Sequence, residues 1–143
     1  MLETIRTLIL SNDTCALATA SDNQPHCSLM SYLPSADVGE LYLLTSRSTK
    51  KYRNCLRNPS VSLLIDTRSR NANSAWAVSA LTLEGESRQP ATNEERERIK
   101  QEMVERLPHL ARLAGHPDSE VLIVRLRSAL LLDGVENSHF EAL

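Results

Sequence analysis

Strand-like segments follow one another in this chain with very little between them. Residues 14–20 (TCALATA), 26–33 (HCSLMSYL) and 40–45 (ELYLLT) have strand character, and only the polar turns 21–25 and 34–39 separate them. A crossover to a parallel strand takes about a dozen residues or more, so turns this short impose antiparallel neighbours. Closing such a sheet on itself removes its exposed edges. The expected fold is therefore mainly β with peripheral helices, an antiparallel barrel in a single domain over residues 1–143. A doubly wound parallel sheet is excluded because helices do not alternate with strands.

The remaining periods fill in this order. Leu2, Ile5, Leu8 and Ile9 fall at helical spacing and predict a short amphipathic helix. Tyr52, Cys55 and Leu56 predict a helix over 49–57, with Ser48 as its N-cap and Asn58-Pro59 as its stop. Residues 61–65 form a fourth strand, 66–75 an exposed loop, and 76–86 a long strand with Leu81 and Leu83 on one face. Trp76 is expected to pack, and Gly85 to serve a bulge. Thr92 and Glu95 form a capping box ahead of a charged helix whose narrow apolar stripe is Ile99, Met103 and Leu107. Residues 120–127 place Leu122, Val124 and Leu126 inward. Residues 128–135 are the last strand, Asp133-Gly134 is a turn, and an acidic tail follows.

Composition excludes several function classes. With 16 Lys+Arg against 18 Asp+Glu the net charge is −2, too little positive charge to hold a polyanion, so no nucleic-acid partner is expected. One Trp, three Tyr and one Phe cannot furnish a base-stacking platform. Cys15, Cys27 and Cys55 are odd in number without a CxxC, so they read as small buried hydrophobes in a reducing compartment. No metal site is expected, because the histidines at 26, 109, 116 and 139 have no ligand spacing. No apolar run reaches the ~20 residues of a membrane span, and the N-terminus lacks a signal layout. A cytoplasmic protein with no membrane partner is the expectation. The common phosphate-loop, dinucleotide, zinc-protease and nucleophile-elbow motifs are absent.

The local charge map says more than the total. Residues 41–65 contain no acid and five bases, Arg47, Lys50, Lys51, Arg53 and Arg57. Thr45, Ser46, Ser48 and Thr49 place hydroxyls just ahead of the predicted helix. A helix start with free N–H groups, hydroxyls and cations suits one phosphate monoester. The alternative is an ordinary capped helix with a solvated basic face.

The run TCALATASDNQPHCSLMSYL, then LYLLTSRSTKKYRNCLRNPSVSLLID, then ALTLEGE resembles the pyridoxamine 5′-phosphate oxidase-like, FMN-binding split-barrel superfamily over residues 3–135. SLMSYL, TSR followed by RN, and the terminal DGVENSHF resemble its haem-utilisation-like branch. The resemblance implies a split β-barrel homodimer with FMN at the subunit interface. It places His26, Ser28, Leu29 and Met30 along the flavin ring, partly through backbone groups. Thr45 and Ser46 match the turn beside the flavin. Thr49, Lys50 and Lys51 match the phosphate clamp, and Arg47 is a second phosphate candidate. Where the oxidases carry an arginine in the second strand this chain has Ser28, and Ala80 stands where they carry Gln. Flavin binding, and an FMN-dependent oxidoreductase of unknown small-molecule substrate, is thus a better expectation than pyridoxamine phosphate oxidation; whether the chain is an enzyme stays open. Haem is the alternative cofactor, with His139 as its candidate ligand. A non-catalytic flavin electron carrier is a third reading.

Overall fold

A computed structural model describes residues 1–67, 79–134 and 136–143. Its elements run α1 (Glu3–Ser11), β1 (Thr14–Ser21), β2 (Gln24–Pro34), β3 (Glu40–Ser46), α2 (Lys50–Arg57), β4 (Ser60–Asp66), β5 (Ser79–Arg88), α3 (Asn93–Arg106), a 3-10 turn (Pro108–Leu110), α4 (Ala111–Ala114), β6 (Ser119–Asp133) and β7 (Asn137–Ala142). The strands pair in the order β3-β2-β1-β4-β5-β6-β7, and β3 also pairs with β6. Every pairing is antiparallel. The β3–β6 ladder closes six strands into a split barrel, and β7 extends the sheet beyond it.

Local chemistry explains the joints. Asp22 and Asn23 link β1 to β2 with φ of 52° and 61°. Asp and Asn tolerate this left-handed region, and two such residues make a hairpin turn whose twist matches its strands. Long β6 bends at Arg127, because Glu84 pairs with Ser128 while Gly85 pairs with Leu126. A Cβ on Gly85 would lie 2.4 Å from the Arg125 carbonyl oxygen. The bulge expected at Gly85 is thus a close backbone approach that only glycine permits.

Alternation places two cores. Inside the barrel lie Leu17, Met30, Tyr32, Leu41, Leu43, Leu63, Leu81, Leu83, Leu122, Val124 and Leu126, joined by Ile5 and Ile9 of α1 and by Tyr52 and Cys55 of α2. On the outer face of β2, β3 and β6, Leu33, Tyr42, Leu44, Val121 and Ile123 meet Ile99, Met103 and Leu107. Each fully buried side chain of this kind stabilises by about 1.5–3 kcal/mol, which is enough to dock charged α3 through one narrow stripe. The Thr92 hydroxyl caps α3 by accepting from Glu95 N (3.1 Å), while Glu95 Oε1 accepts from Ala91 N (2.9 Å).

Several sequence expectations change. The N-cap of α2 is Thr49, not Ser48, and the helix begins at Lys50. Residues 120–127 and 128–135 are not two strands, since β6 is continuous over Ser119–Asp133. The acidic tail carries a strand, β7, paired along β6 from Ser128 to Asp133. Cys15 and Cys55 are buried, but Cys27 is exposed. Trp76, most of the loop expected at 66–75 and residue 135 lie outside the described residues. No helix among the described residues is long and apolar enough to cross a membrane.

Candidate functional site

The basic, acid-free segment folds into the junction where β3 ends and α2 begins. Thr45 and Ser46 are still in the sheet, opposite Glu120 and Ser119 of β6. The chain then turns. The Thr49 amide and hydroxyl both donate to the Ser46 carbonyl, at 3.0 and 2.9 Å. Thr49 Oγ1 also accepts from Tyr52 N at 3.3 Å and lies 3.0 Å from Thr45 Oγ1. Ser46 and Ser48 share a 3.0 Å hydroxyl contact, and Arg53 Nη1 donates to the Ser48 carbonyl at 2.7 Å. Four hydroxyls thus gather at the start of a helix whose first N–H groups have no partner within it.

The cations around this turn are not equivalent. Lys50 is exposed and Lys51 half-buried, and neither makes an ion pair or side-chain hydrogen bond among the described residues. Arg47 is engaged instead. Its Nε and Nη2 donate to Glu120 Oε1 at 3.2 and 3.0 Å, and Nη1 lies 3.7 Å from Asp118. Its amide donates to the Asp118 carbonyl at 2.8 Å. The Glu120 side chain is only 8% exposed, and Arg96 Nε stands 3.8 Å from its other oxygen. The hydrogen bond to Glu120 holds the Arg47 guanidinium above its ordinary pKa. Arg47 therefore ties the turn to β6, a role invisible in sequence because Glu120 lies far along the chain.

Strand β2 presents its nominated residues to two sides. His26 pairs with Thr19, whose hydroxyl accepts from Asn54 Nδ2 of α2 at 3.1 Å. His26, Ser28 and Met30 share this face, and Leu29 is on the other. The Ser28 hydroxyl is buried without a hydrogen-bond partner among the described residues. Met30 is 7% exposed and belongs to the core, so its backbone is what it can offer a ligand. Leu29 is 77% exposed. It starts a lateral row across the outer sheet, running Leu29, Ala16, Leu64, Thr82, Leu130 and Phe140 through successive cross-strand pairs.

The other polar groups are quieter. Burial pushes the Cys15 thiol up to about 12 and raises Cys55 as well. Burial also raises Tyr52, whose hydroxyl accepts from Gln89 Nε2 at 2.9 Å. His139 lies on β7 opposite Leu131, half-exposed and 3.9 Å from Glu141. Among the described residues no three His, Cys, Asp or Glu side chains gather as a metal cluster would. Sequence reasoning did not single out Glu120, nor His109, whose Nε2 lies 2.9 Å from Ser31 Oγ of β2.

The architecture has counterparts of known structure. A haem-binding protein from Mycobacterium smegmatis superposes with a TM-score of 0.85 at 20% identity, over 98% of this chain and 57% of its own. This chain thus spans little more than half of that protein's length. The haem-storage protein HutZ from Vibrio cholerae gives 0.75 at 18% identity, over 92% of this chain and 93% of its own. A FAD-binding protein from Mesorhizobium loti gives 0.75 at 16% identity over the same shares. At these identities the likeness is one of fold. No protein of curated function matches in sequence. The family model for pyridoxamine 5′-phosphate oxidase matches residues 1–132, which takes in the whole closed barrel, the α2 junction and nearly all of β6. On that match and this split barrel, the chain belongs to the pyridoxamine 5′-phosphate oxidase family.

Proposed function

We propose that this chain binds FMN, with the phosphate at the start of α2 and the ring along β2, and acts as a flavin-dependent oxidoreductase. The observation that carries the reading is the pair Lys50 and Lys51. Two cations without partners among the described residues begin the helix, beside the N–H groups of its first turn and the hydroxyls of Ser46 and Ser48. A phosphate dianion satisfies such a group of donors. Ser28 supplies a second fit, since its buried hydroxyl, on the face shared with His26, lacks a partner among the described residues. Bound there, FMN would supply hydride or electron transfer, while the chain's own residues hold the phosphate, orient the ring and limit water.

The same reading takes two copies sharing the site. The outer row leaves Leu29 77%, Leu130 44% and Phe140 64% exposed, apolar surface that a symmetric partner would cover. Free cysteines at 15, 27 and 55 agree with a cytoplasmic setting.

Haem is the second reading. It rests on His139, an accessible imidazole on β7, and on two counterparts described as haem proteins. The absorption spectrum of the purified protein separates the two. Flavin bands, or stoichiometric uptake of added FMN, support the first. A Soret band that is lost in His139→Ala supports the second and overturns the first. Oxidation of NADH or NADPH with an added acceptor distinguishes an enzyme from an electron carrier.

A further inference from the structure

A groove of about 420 Å³ lies on the outside of the barrel, lined by Ser46, His109, Arg112, Leu113 and His116. Four of these come from one short stretch, His109 in the 3-10 turn, Arg112 and Leu113 in α4 and His116 in the bend that follows it. The stretch 107–117 contains no acid. The helical face and the sheet are joined by the 2.9 Å contact between His109 Nε2 and Ser31 Oγ.

We propose that this groove binds a small organic anion, a carboxylate or phosphate ester on a compact apolar body. It goes beyond the flavin reading and shares only Ser46 with it. Arg112 is exposed and makes no ion pair or hydrogen bond among the described residues. A guanidinium with all its donors free matches the fork of a carboxylate or phosphate. His116 Nδ1 accepts from Asp118 N at 3.1 Å, which in the neutral ring puts the proton on Nε2 and makes that atom a donor. Ser46 adds a hydroxyl. Of the carboxylates nearest in the chain, Asp118 lies 3.7 Å from Arg47 and Glu105 accepts from Gln101 Nε2 at 3.4 Å, and neither pairs with Arg112. Leu113 gives the apolar wall, and the volume is that of a small-molecule site.

The test follows the imidazole C2 protons of His109 and His116 by NMR in the full chain, assigned through His109→Gln and His116→Gln. The probes are benzoate, phenyl phosphate and the neutral isostere benzamide. Benzoate or phenyl phosphate should move both resonances saturably, and the stronger of the two names the head group. Arg112→Gln should weaken that binding about tenfold, the loss of one charge-assisted contact. Arg98→Gln, on α3 and paired with Glu102, should leave it unchanged. Benzamide moving the resonances as far as the anions, wild-type affinity in Arg112→Gln, or no movement with any probe overturns the proposal. The histidine signals report the groove with or without FMN, so a failure of the flavin reading leaves this result intact.

Discussion

Replacing Arg47 with alanine separates two roles for a cation of the basic segment that already pairs with a buried carboxylate. Glu120 is 8% exposed on its side chain and receives two hydrogen bonds from Arg47, at 3.2 and 3.0 Å. After Arg47→Ala its charged contact is Arg96 Nε at 3.8 Å, beyond hydrogen-bond range. Removing one partner of a fully buried pair costs about 3–5 kcal/mol, whereas a surface pair is worth about 0–1. Arg47 is itself 57% exposed, so water enters where its side chain stood and solvates the carboxylate. The expected loss falls between those limits, about 2 kcal/mol. Glu120→Gln in the same chain removes the stranded charge, so the double variant should be about 1 kcal/mol more stable than the sum of the singles. Urea unfolding of the flavin-free protein measures both quantities. FMN affinity should fall less than about fivefold in Arg47→Ala, because the proposed phosphate site keeps Lys50 and Lys51. Unchanged stability together with a large loss of FMN affinity would refute this reasoning and make Arg47 a phosphate ligand.

Other consequences are sharper in sign than in size. Gly85→Ala drives a Cβ to 2.4 Å from the Arg125 carbonyl and should destabilise by about 3 kcal/mol or more, read as a fall in the urea midpoint; a neutral result removes the bulge argument. Iodoacetamide at mildly alkaline pH should leave Cys15 and Cys55 of the native protein unmodified, since burial raises both thiols, and put any adduct on exposed Cys27; peptide mapping that finds Cys15 alkylated contradicts the core assignment. The hydrogen bonds from Arg88 and Ala91 hold Glu95 below the usual carboxylate range. Its contribution to stability is present above the unfolded carboxylate pKa and is lost as pH falls through the lower folded value. Acid titration of stability should thus be shallower in Glu95→Gln, and an identical slope counts against the link.

The barrel was legible because its strands keep a period of two over runs that turn residues delimit. Leu81 with Leu83, and Leu122, Val124 and Leu126, all point inward as read. The reading broke at Arg127 because the bulge moves the next inward residue from position 128 to Ala129, so one bent strand looks like two. Strand β7 was missed for another reason. Asn137–Ala142 holds one large apolar side chain, Phe140, and is ordered by its ladder to β6 rather than by its own pattern. Ser48 and Thr49 are adjacent hydroxyls, and only the observed Tyr52 N–H contact decides which one caps α2. At the candidate site, local features were visible and distant partners were not. The sequence displays the cations at 47, 50 and 51 equally, and the pairing with Glu120 singles out Arg47. His109, Arg112 and His116 carry a signal too, a helical spacing in an acid-free stretch, but metal-ligand spacing tests only the two histidines and passes over Arg112.

In the proposed function, the start of α2 holds the phosphate of a flavin mononucleotide. Fluorescence titration with FMN and with riboflavin, which differ by that phosphate, tests it directly. Wild type should bind FMN near one per chain and riboflavin about 100-fold more weakly, the worth of roughly two charge-assisted contacts. In Lys50→Ala/Lys51→Ala the two affinities should converge while the fold, judged by circular dichroism, is kept. Equal affinities in the wild type, or no binding of either, would contradict the account.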